Sequence, residues 1–261
     1  MRLLLAFLRR DFADDLSYRL TFVIELLDAL VLLTAVLLLS RGLGPSGIAG
    51  YQAFPFLFVG LAVNAALAVC LACFTLSVRG TRADGMLRVA LLMPTPAWVQ
   101  VLGSAAYPVL RGFFDAGLHL GAAVLLGLSL SSANLPAALL VFVLGLAAAS
   151  GLGIASAAFA IVFKRGDPLL WLIGVVSMVL GGVFYPVEQL PPLLRALGWA
   201  TPVAPALAAM RPLLLDGAPL AAVWPAVAAL AAYGAVGIPL SLILFNAAVR
   251  YARRRGTIKE T

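Results

Sequence analysis

Six apolar runs, at residues 20–40, 54–78, 101–130, 135–163, 169–183 and 223–249, limit what this chain can fold into. A helix crossing the hydrocarbon core of a bilayer needs roughly 20 apolar residues. Five runs reach that length; 169–183 is short, and 101–130 is long enough to tilt or to begin as an interfacial helix. Hydrophobic residues make up 63% of the 261 and charged residues 11%, with a mean hydropathy of +1.07. A soluble domain carries about 25% charged residues, and ordinary burial in water cannot accommodate this much apolar surface. The expected fold class is an all-α integral membrane protein. It is one transmembrane domain over 1–261, with six transmembrane helices and no room for a soluble catalytic domain.

Basic residues orient the runs. One side receives Arg2, Arg9, Arg10 and Arg19, then Arg79, Arg82 and Arg88, then Lys164 and Arg165, and finally Arg250, Arg253, Arg254, Arg255 and Lys259. The other side has Arg41, Arg195 and Arg211. Excess Lys and Arg mark cytoplasmic loops, so both termini are expected in the cytoplasm, including a tail at 250–261. An even number of spans agrees with that orientation. The net charge of +7 is therefore assigned to topology, and no nucleic-acid partner is expected. Ahead of the first span, Leu4, Leu8, Phe12 and Leu16 recur every four residues, the pattern of an interfacial amphipathic helix over 1–19. The leading run, Leu3 to Leu8, is short and lacks a small-residue cleavage site, so no cleavable signal is expected.

The stretch 181–211, GGVFYPVEQLPPLLRALGWATPVAPALAAMR, follows the fifth run and falls on the outer side. Pro186, Pro191, Pro192, Pro202 and Pro205 divide it into short pieces, because proline lacks a donor and clashes with the preceding turn. Non-helical backbone at membrane depth survives where it is buried in protein or lines a wet cavity. Two short re-entrant helices are therefore expected over 184–212; a plain outer loop is the competing outcome.

Catalytic patterns are missing. No G-x-x-x-x-G-K-[ST] loop occurs, and the lysines, Lys164 and Lys259, are not placed for one. The sole histidine, His119, cannot form a zinc pair with another. Cys70 and Cys73 sit in VCLACF, where small core residues are the expected reading. Ionisable groups within spans are costly and often functional. Glu25 and Asp28 share a face of the first span, and Glu25 lies six residues past Arg19, about 9 Å in. Arg111 and Asp115 have ion-pair spacing in the third span. That pair is either self-compensating or part of a polar vestibule with the two acids.

The motifs, in order, resemble the ABC-2 family of ABC exporter permeases. Residues 88–103, RVALLMPTPAWVQVLG, are similar to the family's Leu-x-x-Thr-Pro stretch through Pro94, Thr95 and Pro96. GVFYPVEQLPP at 182–192 resembles its Gly-x-x-[FY]-Pro-x-x-x-Leu-Pro signature, and 202–217 its proline, arginine and Leu-x-x-Gly ending. Thr201 stands where the family usually has Asn. The resemblance implies a non-enzymatic permease in the inner membrane of a prokaryote. It binds no cofactor of its own, and ATP and Mg sit on a separate ATPase present in two copies. A second permease copy completes the assembly, as a homodimer or a heterodimer, in membrane lipid. The cytoplasmic segment 79–97, with Arg79, Arg82, Asp84 and Arg88, becomes the expected ATPase-coupling element. Glu25, Asp28, Arg111 and Asp115 are assigned to the translocation path, and Tyr185, Pro186, Glu188, Pro191 and Arg211 to an outer gate. The expected cargo is an amphipathic drug, lipid or lipid-linked glycan. The alternatives are a dedicated polysaccharide, O-antigen or teichoic-acid exporter and an ATP-independent secondary transporter. Tyr51, Phe54, Phe56 and Phe58 read first as an interfacial aromatic belt and, in a glycan exporter, as a sugar-stacking surface.

Overall fold

A computed structural model describes residues 19–42, 47–83, 97–163 and 168–254. Among the described residues the regular structure is helical, without a β-strand. Six longer helices coincide with the six apolar runs: α1 (Arg19–Gly42), α2 (Ala53–Ala83), α3 (Ala97–Leu125), α4 (Leu135–Val162), α5 (Pro168–Leu180) and α8 (Trp224–Arg254). Between the last two lie α6 (Pro192–Trp199) and α7 (Val203–Arg211), the latter running into a π-turn, Pro212–Asp216. Among the described residues, three stretches are long and apolar enough to cross a membrane by themselves, Ala53–Gly80, Leu135–Val162 and Leu220–Ala252. The bent pair α6 and α7, taken as one broken span, makes a fourth. The interfacial helix expected over 1–19 and most of the coupling segment lie outside the described residues.

α2 and α8 run five residues past their apolar runs, and α3 starts four residues before its own. α3 and α5 stop several residues short of theirs, in both cases because a glycine adopts a left-handed backbone. The third run reads through to residue 130, yet α3 stops at Leu125. Gly127 (φ 103°) closes a Schellman-type end in which the Leu128 amide donates to the Ala123 carbonyl at 2.9 Å. The fifth run reads to 183, yet α5 stops at Leu180, giving 13 residues and a length of about 20 Å against a core of roughly 30 Å. Gly182 (φ 82°) makes the turn, and a Cβ there would meet Val187 Cγ2 at 2.4 Å.

The core sits where α2, α4, α7 and α8 meet, with Phe56, Leu67, Val141, Leu207 and Leu230 fully buried. Small residues bring backbones together along α4. A Cβ on Gly153 would lie 2.7 Å from the Cys70 and Leu71 carbonyl oxygens of α2. One on Gly151 would lie 3.1 Å from the Gly237 carbonyl carbon of α8. Cys70 and Cys73 are free and buried at this contact. α4 starts at Asn134, whose Oδ1 accepts from the Ala137 amide at 3.4 Å. The Asn134 Nδ2 donates to the Ala218 carbonyl at 3.2 Å, and its own amide to Leu213 at 2.9 Å. The chain after the π-turn is thereby tied to the α3–α4 connection.

Candidate functional site

The proline-rich stretch is built from the turn at Gly182 outward. Pro186 precedes a single 3-10 turn, Val187–Gln189, and Pro191 precedes α6, with Pro192 as the first helical residue. Proline suits that position, since its missing N–H would have no helical partner there. α7 then leaves α6 at 88° and buries every residue but Ala208 against α2, α4 and α8. The stretch is therefore not a plain surface loop: its second helix returns into the protein core.

Arg211 ends α7 and is 7% exposed. Its Nη2 donates to the carbonyls of Gly182 (2.8 Å) and Val183 (2.9 Å), with a longer contact to Phe56 (3.4 Å). The guanidinium carbon lies 3.5 Å from the centroid of the Phe56 ring, a cation–π stack. Its Nε is buried without a hydrogen-bond partner. One side chain thus joins the end of α7, the first turn of α2 and the turn after α5. Gly60 leaves the room for it. A Cβ there would sit 2.4 Å from the Val183 oxygen and 2.8 Å from Nη2.

A crevice of about 140 Å³ opens beside this knot, lined by Tyr51, Pro186, Glu188, Trp199, Leu207 and Arg211 among others. Glu188 is exposed at its edge, Pro191 is exposed, and Tyr185 is partly buried with its hydroxyl donating to the Val179 carbonyl. Tyr51 reaches the crevice from a tight turn in which Ile48 and Tyr51 exchange two backbone bonds of 2.9 and 3.0 Å. Its hydroxyl donates to Asp216 Oδ2 at 2.5 Å. Burial and that carboxylate push the Tyr51 phenol up to about 12, so it stays protonated at neutral pH. A second cavity, about 190 Å³, lies between α2, α4, α5 and α7 and carries Asn64 and Ser177 among apolar neighbours such as Leu67 and Ile173.

The structure brings Pro186, Glu188 and Arg211 around one crevice, with Tyr185 and Pro191 adjacent in the chain. Glu25 and Asp28 fall on α1 and Asp115 on α3, their side chains outside the described residues. Arg111 is partly buried on α3. Arg79 is exposed near the end of α2, and Arg82 belongs to that same helix. The side chain of Arg82 lies outside the described residues, as do Asp84 and Arg88. Phe56 was singled out from sequence only as one of four aromatic rings, and Gly60, Asn64 and Asp216 were not identified. Their roles depend on partners far away in the chain, and no local spacing marks them.

A family model described as ABC-2 type transporter matches residues 2–215, covering α1 to α7. No curated protein matches the chain. With most of its length inside the match, its polytopic helical architecture and its proline-punctuated turn back into the core, this chain belongs to the ABC-2 type transporter family.

Proposed function

We propose that this ABC-type permease exports an amphipathic molecule, driven by ATP hydrolysis on two copies of a separate subunit. The geometry that carries the reading is α7, turned back by 88° into the helical core and fastened there by Arg211. In this reading six spans cross the inner membrane of a prokaryote and both termini are cytoplasmic. Residues 184–212 form the outer gate, with Tyr185, Pro186, Glu188, Pro191 and Arg211 at its turn. The 190 Å³ cavity on α2 and α5, with Asn64 as its polar handle, lies beneath the gate and adds to the path expected from Glu25, Asp28, Arg111 and Asp115. A second permease copy faces this one, and Arg79, Arg82, Asp84 and Arg88 seat the motor.

The aromatic group near Tyr51 favours a small amphipathic cargo over a glycan. Phe56 and Phe58 are each 1% exposed and Phe54 stacks on Phe58 at 6.1 Å, so these three rings offer little open face to a sugar. The test is reconstitution in nanodiscs with the cognate ATPase. Co-purification and hydrolysis stimulated by amphipathic compounds are expected. Replacing Arg82 and Asp84 with alanine should uncouple hydrolysis from transport. Transport driven by an ion gradient without any ATPase would overturn the reading.

A further inference from the structure

A larger cavity, about 330 Å³, lies apart from the crevice, between α2, α3, α4 and α7. Its fourteen lining residues are all Phe, Val, Ala, Gly, Leu or Met, so nothing in it would orient a polar ligand or hold water. Its volume is roughly twice that of the ~150 Å³ apolar cavity known to hold one benzene, room for about a dozen carbons. Phe113 and Phe142 meet edge to face at 5.1 Å in its wall, while Met210 and Leu214 reach it from α7 and the π-turn. Gly117, Leu135 and Leu139 are exposed at its mouth, and the apolar surface continues along α4 over Leu140 and Val143. The α4 residues lining it are among the first eight of that helix, so the cavity spans about 10 Å from the helix end. One leaflet of a ~30 Å hydrocarbon core has a chain region of about 15 Å.

We propose that this cavity takes an acyl chain of a phospholipid from the leaflet at the N-terminal end of α4. The inference rests on the membrane-spanning reading of α2 and α4, and it is independent of the cargo. The exposed mouth is continuous with the lipid-facing surface of a membrane-length helix, and the small residues Ala62, Ala116, Gly117 and Ala138 leave the space unfilled. The headgroup stays at the interface, because no lining side chain can bond to it. The seated chain packs against Met210 and Leu214, on either side of the Arg211 knot in sequence, and so braces α7 laterally.

Full-length protein in nanodiscs would be irradiated with phosphatidylethanolamine carrying a diazirine either mid-chain or on the headgroup. The chain probe, with labels located to the residue, should mark cavity-lining positions such as Phe113, Leu120, Phe142 and Met210, and the headgroup probe should not. Gly117→Trp should cut that labelling at least fivefold; a Cβ at Gly117 meets nothing within 4 Å, and an unchanged melting temperature would show that the fold accepts the ring. Ala138→Phe should do the same from inside. Unchanged labelling in both variants, or labelling confined to Leu140 and Val143, would overturn the proposal. Full displacement by a small apolar dye far below the lipid concentration would give the cavity to a transported compound instead, also overturning it. Because ATPase co-purification is measured separately, loss of the lipid site would leave the transporter reading standing.

Discussion

Replacing Arg211 with methionine keeps much of its length but removes every donor. The two carbonyls at 2.8 and 2.9 Å, Gly182 and Val183, lose their partner in a buried setting. Each unsatisfied acceptor costs about 1–3 kcal/mol. The Phe56 stack contributes about 1 kcal/mol, and a thioether over the ring retains part of it. Opposing this, a guanidinium no longer has to be desolvated, which returns free energy. A net local loss of about 2–3 kcal/mol follows, and at 1.4 kcal/mol per decade this is roughly 30- to 150-fold in the opening equilibrium. Hydrogen exchange reads that equilibrium where opening is local. The reporters are the amides of Gly181, Gln189 and Leu190, bonded to Ser177, Pro186 and Val187 at 3.0 to 3.1 Å. Their exchange in nanodiscs should accelerate by that factor, while amides of α4 are unaffected. Arg211→Lys keeps the charge without the planar fork and should fall between. Exchange within twofold of wild type in Arg211→Met would refute the claim that this side chain holds the turn.

Other consequences are checked more simply. Gly60→Ala forces a methyl to 2.4 Å from the Val183 oxygen, and should cost about 1–3 kcal/mol in thermal unfolding, whereas Gly112→Ala, with open space, should be neutral. Tyr51 has its folded pKa raised to about 12 from 10, so its contribution is complete below pH 10 and is lost as pH rises through 12. Tyr51→Phe should therefore flatten the fall in melting temperature between those values, relative to wild type. Asn134→Ala removes the cap of α4 and the bond to Ala218, and should lower stability by about 1–2 kcal/mol in a denaturation series.

Much of the helical layout was legible because hydropathy is a local property: each run needs only its own composition to declare itself. The ends of α3 and α5 were not, since Gly127 and Gly182 sit in continuous apolar sequence and their left-handed backbone is set by the turns they close. Pro186, Pro191 and Pro202 stand at the breaks of this region, but Pro205 does not divide the chain as expected. It sits in the first turn of α7, where a missing N–H costs no helical bond, and Pro239 lies inside α8. Arg211 was singled out as a gate residue facing a substrate. Its buried place beside Phe56 could not be read from the chain, because 155 positions separate the two. The aromatic group was legible as a cluster but not as core, since the pattern of the α2 start does not say which elements will cover it. The fall of α7 against α2, α4 and α8 supplied that cover.

The glycine contacts along α4 have a mechanical meaning. Where a Cβ would collide with Cys70 and Leu71 of α2 at 2.7 Å and press on Gly237 of α8 at 3.1 Å, little clearance exists for one helix to slide past the next. α2, α4 and α8 therefore transmit force as a single stator. A like seam ties the outer pieces to one another, since a Cβ on Gly198 of α6 would lie 2.2 Å from the Leu180 oxygen of α5, so that α5 and α6 move together if they move.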